Sequence, residues 1–520
     1  MNMAAGLRGI GRLLVIGMAR SGIAAALAAR RSLPEVEVVI ADREEKPDAS
    51  AEVETLTEAG VRVELGCEDY SLLDGCGLVV KSPGVPGGSP LIEEARQRGI
   101  PVWGEIEFAW RFITNFIIGV TGTNGKTTTT ELITHILVSA GRPCKTAGNI
   151  GTALSTFVGK IDEDELLVLE LSSFQLEDTI DFRPDVAVLL NLSEDHLDRH
   201  DCAEDYYSSK MNIFINQQPH DLAIINLDDP ACHRPVPVHV GKVWFSRSAG
   251  DSKPAAGEKM EPLVFVRDGV IRANLTGLAT AGFGVQARLP RAYSDSKTGG
   301  GLENQIGADA SRAHIAAAGR NEPENGEDSR EAGSTAIIAW KDVSLKGEHN
   351  LENCLAAASV CLSMGLSPGE VAEGLVSFPG VPHRLQQVRI VDGVTYVNDS
   401  KATNVDAAIK ALTAFEGGVH LILGGSLKGC TFDRLAEDAP AEKITQLIAI
   451  GEAAEEIAAS FDQVGRETIM AAGLEEAIDI ASASAGPGDV VLLAPACASF
   501  DQYDNYEERG DHFISLVNML

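Results

Sequence analysis

The chain has 520 residues, of which 44% are hydrophobic and 23% charged, and its formal net charge is −32. At roughly 150 residues per domain the length points to about three domains. A surface this acidic repels nucleic-acid phosphates and anionic lipid, so no nucleic acid and no membrane is expected as a partner, and a nucleotide site must build its own positive field from backbone N–H groups, lysines and metal ions.

The apolar run at Leu13–Ile16 is interrupted by Arg20 and followed by Arg30 and Arg31, which reads as strand, turn and helix rather than as a signal peptide. Nowhere does the chain approach the ~20 uninterrupted apolar residues of a transmembrane helix. Nine cysteines are scattered without a C-x-x-C pair, so a reducing cytoplasm fits better than disulfides or a zinc site.

In chain order, short apolar runs alternate with Ala- and Leu-rich helical stretches. Ten such runs are Leu13–Ile16, Val36–Ile40, Leu78–Val80, Phe116–Val120, Leu166–Leu171, Val186–Leu190, Ala223–Ile225, His420–Leu423, Leu447–Ile450 and Val490–Leu493. Continuous apolar runs of this length suit parallel strands covered on both faces, so the expected class is α/β, built from repeated βαβ units. Three blocks are expected, 1–112, 113–376 and 377–520, the last opening at Phe378-Pro-Gly-Val-Pro-His-Arg384. In the first, Gly17-Met-Ala-Arg-Ser-Gly22 opens a helix after a strand and Asp42-Arg43 closes the next strand. This is a Rossmann-like signal lacking the third spaced glycine. Within the second block, residues 246–333 turn polar and Gly-rich. They read as an insertion with a strand or two near Leu263–Ala273 and a mobile loop over about 291–333.

The strongest local signal is Phe116–Thr130. An apolar strand feeds a glycine-rich turn, then Lys126-Thr127, then a helix over Glu131–Ala140. Glycines let backbone N–H groups converge on phosphate oxygens, Lys126 can reach the β- and γ-phosphates, and the Thr127 hydroxyl can bind Mg²⁺. The loop is a variant, because Val120 stands where the strict P-loop pattern has its first glycine and Gly119 and Gly122 flank that position. Its bland alternative is a glycine-rich turn with a chance Lys-Thr. Glu170 closes an apolar strand, where a hard cation would sit in a sheet carrying a phosphate loop. His196, in Asn191–Asp198, is a candidate metal or phosphate ligand, or else a surface residue or cap. Lys210, taken alone, reads as a solvated helix lysine.

Thr121–Thr130, Gly148–Gly151, Glu170–Glu177, Asn191–Arg199 and Lys346–Asn353 together resemble the Mur ligases, whose three-domain plan folylpolyglutamate synthetase shares. In the third block Pro382–Arg384, Asn398–Asn404, Leu423–Lys428, Pro495–Gln502 and Glu508–Gly510 are similar to the D-glutamate-adding branch of that family. The resemblance covers nearly the whole chain except about 246–335. It implies a Rossmann-like N-terminal UDP-binding domain, a central P-loop ATPase-like parallel sheet and a C-terminal Rossmann-like α/β domain.

It also implies roles at matching positions. Gly122, Thr123, Asn124, Gly125, Lys126, Thr127 and Thr128 would hold the ATP phosphates. Thr127 and Glu170 would bind one Mg²⁺, with His196 and Lys210 serving a second. The family's matching lysine is carbamylated, which exchanges a cation that repels Mg²⁺ for an anionic oxygen ligand. Asn350 and Asn353 would lie near adenine, and Arg384 and Asp399 near the nucleotide and its ribose. Lys401 would reach the γ-phosphate or the amino-acid carboxylate, while Thr403, Lys428, Ser499 and Tyr506 would form the D-glutamate pocket. Ser21, Asp42, Arg43, Ser82 and Asn149 would contact the UDP-sugar, as would Arg20, which stands where the family is commonly apolar.

The implied activity is a cytoplasmic, monomeric, ATP-dependent ligase that adds D-glutamate to UDP-N-acetylmuramoyl-L-alanine through an acyl phosphate, in peptidoglycan precursor synthesis. Three ligands would meet in a central cleft that closure of the third domain shields from water. The alternatives are a sister ligase adding another amino acid and a nucleotide-binding regulatory protein that ligates nothing.

Overall fold

A computed structural model describes residues 7, 9–45, 49–193, 202–237, 239–248, 261–275, 286, 288–290, 334–345, 347–427 and 431–520. His196, Lys428, Lys346, His200 and the loop expected over 291–333 lie outside them. The chain divides into two compact units, Met1–Phe378 and Pro379–Leu520.

The first unit holds two sheets. The smaller is built from β1 (Arg12–Ile16), β2 (Glu37–Asp42), β3 (Arg62–Leu65), β4 (Cys76–Lys81) and β5 (Val102–Gly104), in the order β3-β2-β1-β4-β5. All its pairings are parallel. Its helices are α1 (Arg20–Ser32), α2 (Ser50–Glu58), α3 (Pro90–Gln97) and α4 (Glu105–Trp110). β1 is buried at Leu13, Leu14, Val15 and Ile16 without alternation, as a strand covered on both faces must be.

The larger sheet comprises β6 (Ile117–Thr121), β7 (Cys144–Gly148), β8 (Leu166–Glu170), β9 (Val186–Leu189), β10 (Leu222–Asn226), β11 (Gly241–Ser246), β12 (Pro262–Arg267), β13 (Val270–Ala273) and β14 (Thr335–Ala339). Their order is β14-β13-β12-β11-β10-β9-β6-β8-β7. The pairings from β7 to β12 are parallel, and β13 and β14 extend the sheet antiparallel. Helices α5 (Lys126–Ser139), α6 (Ser173–Leu176), α7 (Ala203–Ile215), α8 (Glu348–Ser363) and α9 (Pro368–Ser377) accompany it. The segment read as an insertion thus supplies the β12–β13 hairpin near Leu263–Ala273, as expected from its apolar residues.

Helix α5 starts at Lys126, five residues ahead of the Glu131 start expected from periodicity. Thr127, Thr128, Thr129 and Thr130 are helical and buried. β-Branched threonines disfavour a helix only mildly, and the turn at Gly125 already sets the chain on the helical path, so local geometry overrides propensity.

The second unit carries β15 (Gln386–Val391), β16 (Val394–Asn398), β17 (Val419–Gly424), β18 (Ile444–Ile450), β19 (Ile469–Ala471) and β20 (Val490–Leu493), ordered β15-β16-β20-β17-β18-β19. Only the β15–β16 hairpin is antiparallel among these pairings. Helices α10 (Val405–Thr413), α11 (Asp433–Asp438), α12 (Ala454–Gln463), α13 (Leu474–Ser484) and α14 (Tyr506–Met519) complete it. No helix among the described residues is long and apolar enough to cross a membrane.

Candidate functional site

The phosphate loop connects β6 to α5 at the carboxyl end of the larger sheet. Gly125 has φ +82, and a Cβ placed on it would sit 2.2 Å from Asn353 Oδ1, so only glycine fits this turn. The first N–H groups of α5 lack intrahelical acceptors and point toward the loop, the arrangement that binds phosphate.

A second loop, after β9, holds this one in shape. The Thr123 N–H donates to the Asn191 carbonyl (2.9 Å) and the Asn124 N–H to Asn191 Oδ1 (2.8 Å). The Asn191 amide returns a bond to the Asn124 carbonyl (3.2 Å). Thr123 Oγ1 donates to the Ser193 carbonyl (3.1 Å) while accepting from the Ser193 N–H (3.0 Å) and the Tyr206 hydroxyl (3.3 Å). Asn191 and Tyr206 therefore shape the site, although sequence reading gave them no role. Their signal was slight: a polar residue at the end of an apolar strand, and an aromatic one helical turn before Lys210.

Two ammonium groups share one carbonyl. Lys126 Nζ donates to the carbonyls of Gly122 (2.9 Å) and Thr123 (2.8 Å). Lys210 Nζ, on α7, donates to the same Gly122 carbonyl at 2.9 Å and lies 4.5 Å from the centre of the Tyr206 ring. Lys210 is 1% exposed, so it is not the solvated helix lysine that spacing alone suggested. Positive charge is thereby concentrated at the mouth of a phosphate loop in a strongly acidic chain.

Glu170 ends β8 in register with Val120 on one side and Gly148 on the other. It is 2% exposed. Its Oε1 accepts from the Asn149 side-chain amide (2.9 Å), whereas its Oε2 is buried without a hydrogen-bond partner. An orphaned carboxylate oxygen one strand away from a phosphate loop fits a hard divalent cation. Among the described residues no three His, Cys, Asp or Glu side chains converge on a metal position. The candidate ligands are thus Glu170, the Thr127 hydroxyl in the first turn of α5 and the Lys210 position, with His196 outside the described residues.

The residues expected near adenine also come together. Thr129 Oγ1 donates to Asn353 Oδ1 (3.2 Å), and the Asn353 amide donates to Asn350 Oδ1 (3.1 Å). Thr128 is buried beside them in α5.

On the smaller sheet, Asp42 Oδ2 accepts from the Met18 N–H (2.7 Å), and the buried Ser82 hydroxyl donates to the Gly17 carbonyl (2.9 Å). Ser21 lies in the first turn of α1, and Arg20 and Arg43 are exposed at the same carboxyl end. Asn149, expected to contact the same ligand, follows β7 of the larger sheet, where its amide donates to Glu170.

In the second unit the loops after β16, β17 and β20 gather at the carboxyl ends of three adjacent strands, where open α/β sheets bind ligands. Asp399 Oδ1 accepts from the Leu385 N–H (3.1 Å); burial pushes its carboxyl up to about 6, partly opposed by that bond and by Arg384 and Lys401. Arg384 itself is exposed. Lys401 Nζ lies 5.7 Å from the Tyr506 ring centre, and the Thr403 N–H donates to the Lys401 carbonyl. Ser499 is buried, its carbonyl accepting from the N–H groups of Gln502 and Tyr503.

Behind these loops lies Arg509, a residue quoted in the sequence motif but given no role. Its guanidinium reaches the Ser400 hydroxyl and the carbonyls of Ser400, Cys497, Ala498 and Gly424. Burial pushes its pKa down to about 10.

Comparison with known proteins agrees with this layout. Family models match as Mur ligase MurD-like, N-terminal domain (residues 11–104), Mur ligase middle domain (120–258) and Mur ligase, glutamate ligase domain (383–497). A UDP-N-acetylmuramoylalanine--D-glutamate ligase of Koribacter versatilis is 38% identical over 98% of this chain and 97% of its own. The protein of that name from Acidobacterium capsulatum is 38% identical over 97% and 96%. Two solved structures share the fold. One is the UDP-N-acetylmuramate-alanine ligase MurC of Thermotoga maritima (TM-score 0.50, 18% identity, 98% and 99% covered). The other is MurF of Acinetobacter baumannii (TM-score 0.51, 14% identity, 99% and 98% covered). The chain belongs to the Mur ligase family.

Proposed function

We propose that this chain joins D-glutamate to UDP-N-acetylmuramoyl-L-alanine at the expense of ATP, in peptidoglycan precursor synthesis. The observation that carries the reading is the meeting of Lys126 and the buried Lys210 on the Gly122 carbonyl, beside a strand ending in the orphaned Glu170 carboxylate. That is a phosphoryl-transfer site, and 38% identity along nearly the whole chain to ligases of that name supports the substrates.

A carboxylate does not accept an amine, because its oxygen is a poor leaving group. Transfer of the ATP γ-phosphoryl to the substrate carboxylate makes an acyl phosphate: one P–O bond forms and the bond to ADP breaks. The D-glutamate amine then attacks the acyl carbon, and the tetrahedral intermediate collapses to amide and inorganic phosphate. In this reading Gly122–Thr128 cradle the phosphates and Lys126 moves from its two carbonyls onto the β- and γ-oxygens, stabilising the transferring group. Thr127, Glu170, His196 and Lys210, the last as its carbamate, would hold Mg²⁺, which supplies charge neutralisation for the phosphoryl group. Asn350, Asn353, Arg384 and Asp399 serve the nucleotide. Ser21, Asp42, Arg43, Ser82 and Asn149 serve the UDP-sugar, and Lys401, Thr403, Lys428, Ser499 and Tyr506 serve D-glutamate. Residues 1–112, 113–376 and 377–520 act as sugar, ATP and amino-acid domains of a monomer. The eight described cysteines are free, which suits the reducing cytoplasm.

The test is phosphate release from ATP with UDP-N-acetylmuramoyl-L-alanine, with and without D-glutamate. Release that needs both substrates is expected. Release with another amino acid would reassign the specificity, and release independent of the UDP-sugar would replace the ligase by a nucleotide switch.

A further inference from the structure

Lys81 is a fully buried lysine that none of the proposed ligand sets uses. It is the last residue of β4 and immediately precedes Ser82. Its ammonium donates to the Val85 carbonyl at 2.8 Å, within the Ser82–Val85 turn. The same nitrogen lies 2.6 Å from Asp178 Oδ2 and 3.7 Å from Glu177 Oε1. Those two carboxylates end the segment that begins at Glu170. One ammonium thus joins the turn proposed to hold the UDP-sugar to the Glu177–Phe182 strap that leaves α6, the short helix following Glu170.

The neighbourhood favours alignment over mere burial. The Asp178 backbone presses on the end of β5: the Gly104 N–H donates to the Asp178 carbonyl (3.3 Å), and a Cβ on Gly104 would fall 2.8 Å from Asp178 Cβ. Two residues further on, Glu107 Oε2, on α4, accepts from the N–H groups of Ile180 (2.9 Å), Asp181 (3.0 Å) and Phe182 (2.8 Å). The strap after Asp178 is therefore already anchored to the smaller sheet's helix. What Lys81 adds is a charged connection at the strap's near end, toward Glu170. A buried ion pair is weak evidence of stabilisation, because desolvation offsets its attraction, and a role in fixing geometry explains its presence better.

We propose that Lys81 is a positioning residue: through Asp178, Glu177 and the Val85 carbonyl it sets the distance between the bound substrate carboxylate and the phosphoryl group it receives. This rests on the ligase reading above. Displacing reacting groups by about 1 Å can lower a rate by about 100-fold while leaving binding nearly unchanged. Lys81 touches no reacting atom, so its loss should lower kcat rather than raise KM.

The experiment compares wild type, Lys81→Met and the double variant Lys81→Met/Asp178→Asn in phosphate release, in ADP and UDP-N-acetylmuramoyl-L-alanine binding by calorimetry, and in thermal unfolding. Lys81→Met should lose about 100-fold in kcat, with both dissociation constants within about threefold of wild type. The double variant also removes the buried Asp178 charge that faces Lys81 and should recover Tm, yet stay slow. Full kcat in Lys81→Met, or recovery of kcat together with Tm in the double variant, would make the bridge a structural strut and overturn the proposal. Absence of substrate-dependent phosphate release in the wild type is a different outcome and overturns the ligase reading itself.

Discussion

The two proposed ligand-binding regions, the phosphate loop of the first unit and the strand-end loops of the second, are built on opposite principles. The phosphate loop is local. Seven consecutive residues, Gly122–Thr128, make it, with Gly125 setting the turn and Lys126 folding back on Gly122 and Thr123. The strand-end loops are assembled from distant pieces around 399–403, 424–427 and 495–506. They are held by Arg509, whose guanidinium collects acceptors from three of these segments. Contiguous residues can encode geometry by spacing, whereas dispersed loops need a buried hub to fix them.

Mutations should separate these designs. Lys126→Ala removes the charge nearest the proposed transferring phosphoryl and should lower phosphate release by about 10³-fold or more, at unchanged Tm. A variant within tenfold of wild type would dissociate Lys126 from the chemistry. Lys210→Ala should cost about 10²-fold, partly restored by short carboxylic acids that replace a carbamate's oxygens. Normal turnover in that variant would sink the carbamate assignment. Arg509→Met should act differently, by removing from the interior a donor that four carbonyls share. A loss of about 3 kcal/mol is expected in the transition that exposes the buried Cys497 to thiol reagents during urea unfolding. If Cys497 stays protected to the wild-type urea concentration, Arg509 is no hub.

The same contrast governs what the sequence reveals. The ten apolar runs all fall on strands, because a strand buried on both faces must be continuously apolar. β3, β5, β7, β11, β14, β15, β16 and β19 carry no such run, and in the edge strands Arg62–Leu65 and Gln386–Val391 polar and apolar residues mix with no such constraint. Lys126, Thr127 and Glu170 are legible from spacing and strand ends. Lys210 needed the family resemblance, because its burial depends on Tyr206 and the Gly122 carbonyl, 88 residues away in sequence. Asn191, Arg509 and Lys81 have partners that only folding brings near, and beyond the strand end at Asn191 and the Glu508–Gly510 motif no local pattern marks them.

The smallest effect probes a burial that works against stability. The Asp399 carboxyl has its pKa raised by burial from 3.8 to about 6. Between those values the folded chain holds a proton that the unfolded chain has released. The group's contribution to stability therefore falls as pH rises from about 4 to about 6, and the loss persists above. At 1.36 kcal/mol per pKa unit the upper bound is about 3 kcal/mol. Asp399→Asn keeps an acceptor for the Leu385 N–H but has nothing to ionise. It should match wild type near pH 4 and exceed it by about 2 kcal/mol at pH 7, measured by urea unfolding. Parallel pH profiles for the two proteins would show that burial does not strain this carboxylate. A variant that is more stable yet weaker in ATP-dependent phosphate release would show why the chain keeps an acid there: the charge that burial disfavours is the one the nucleotide needs.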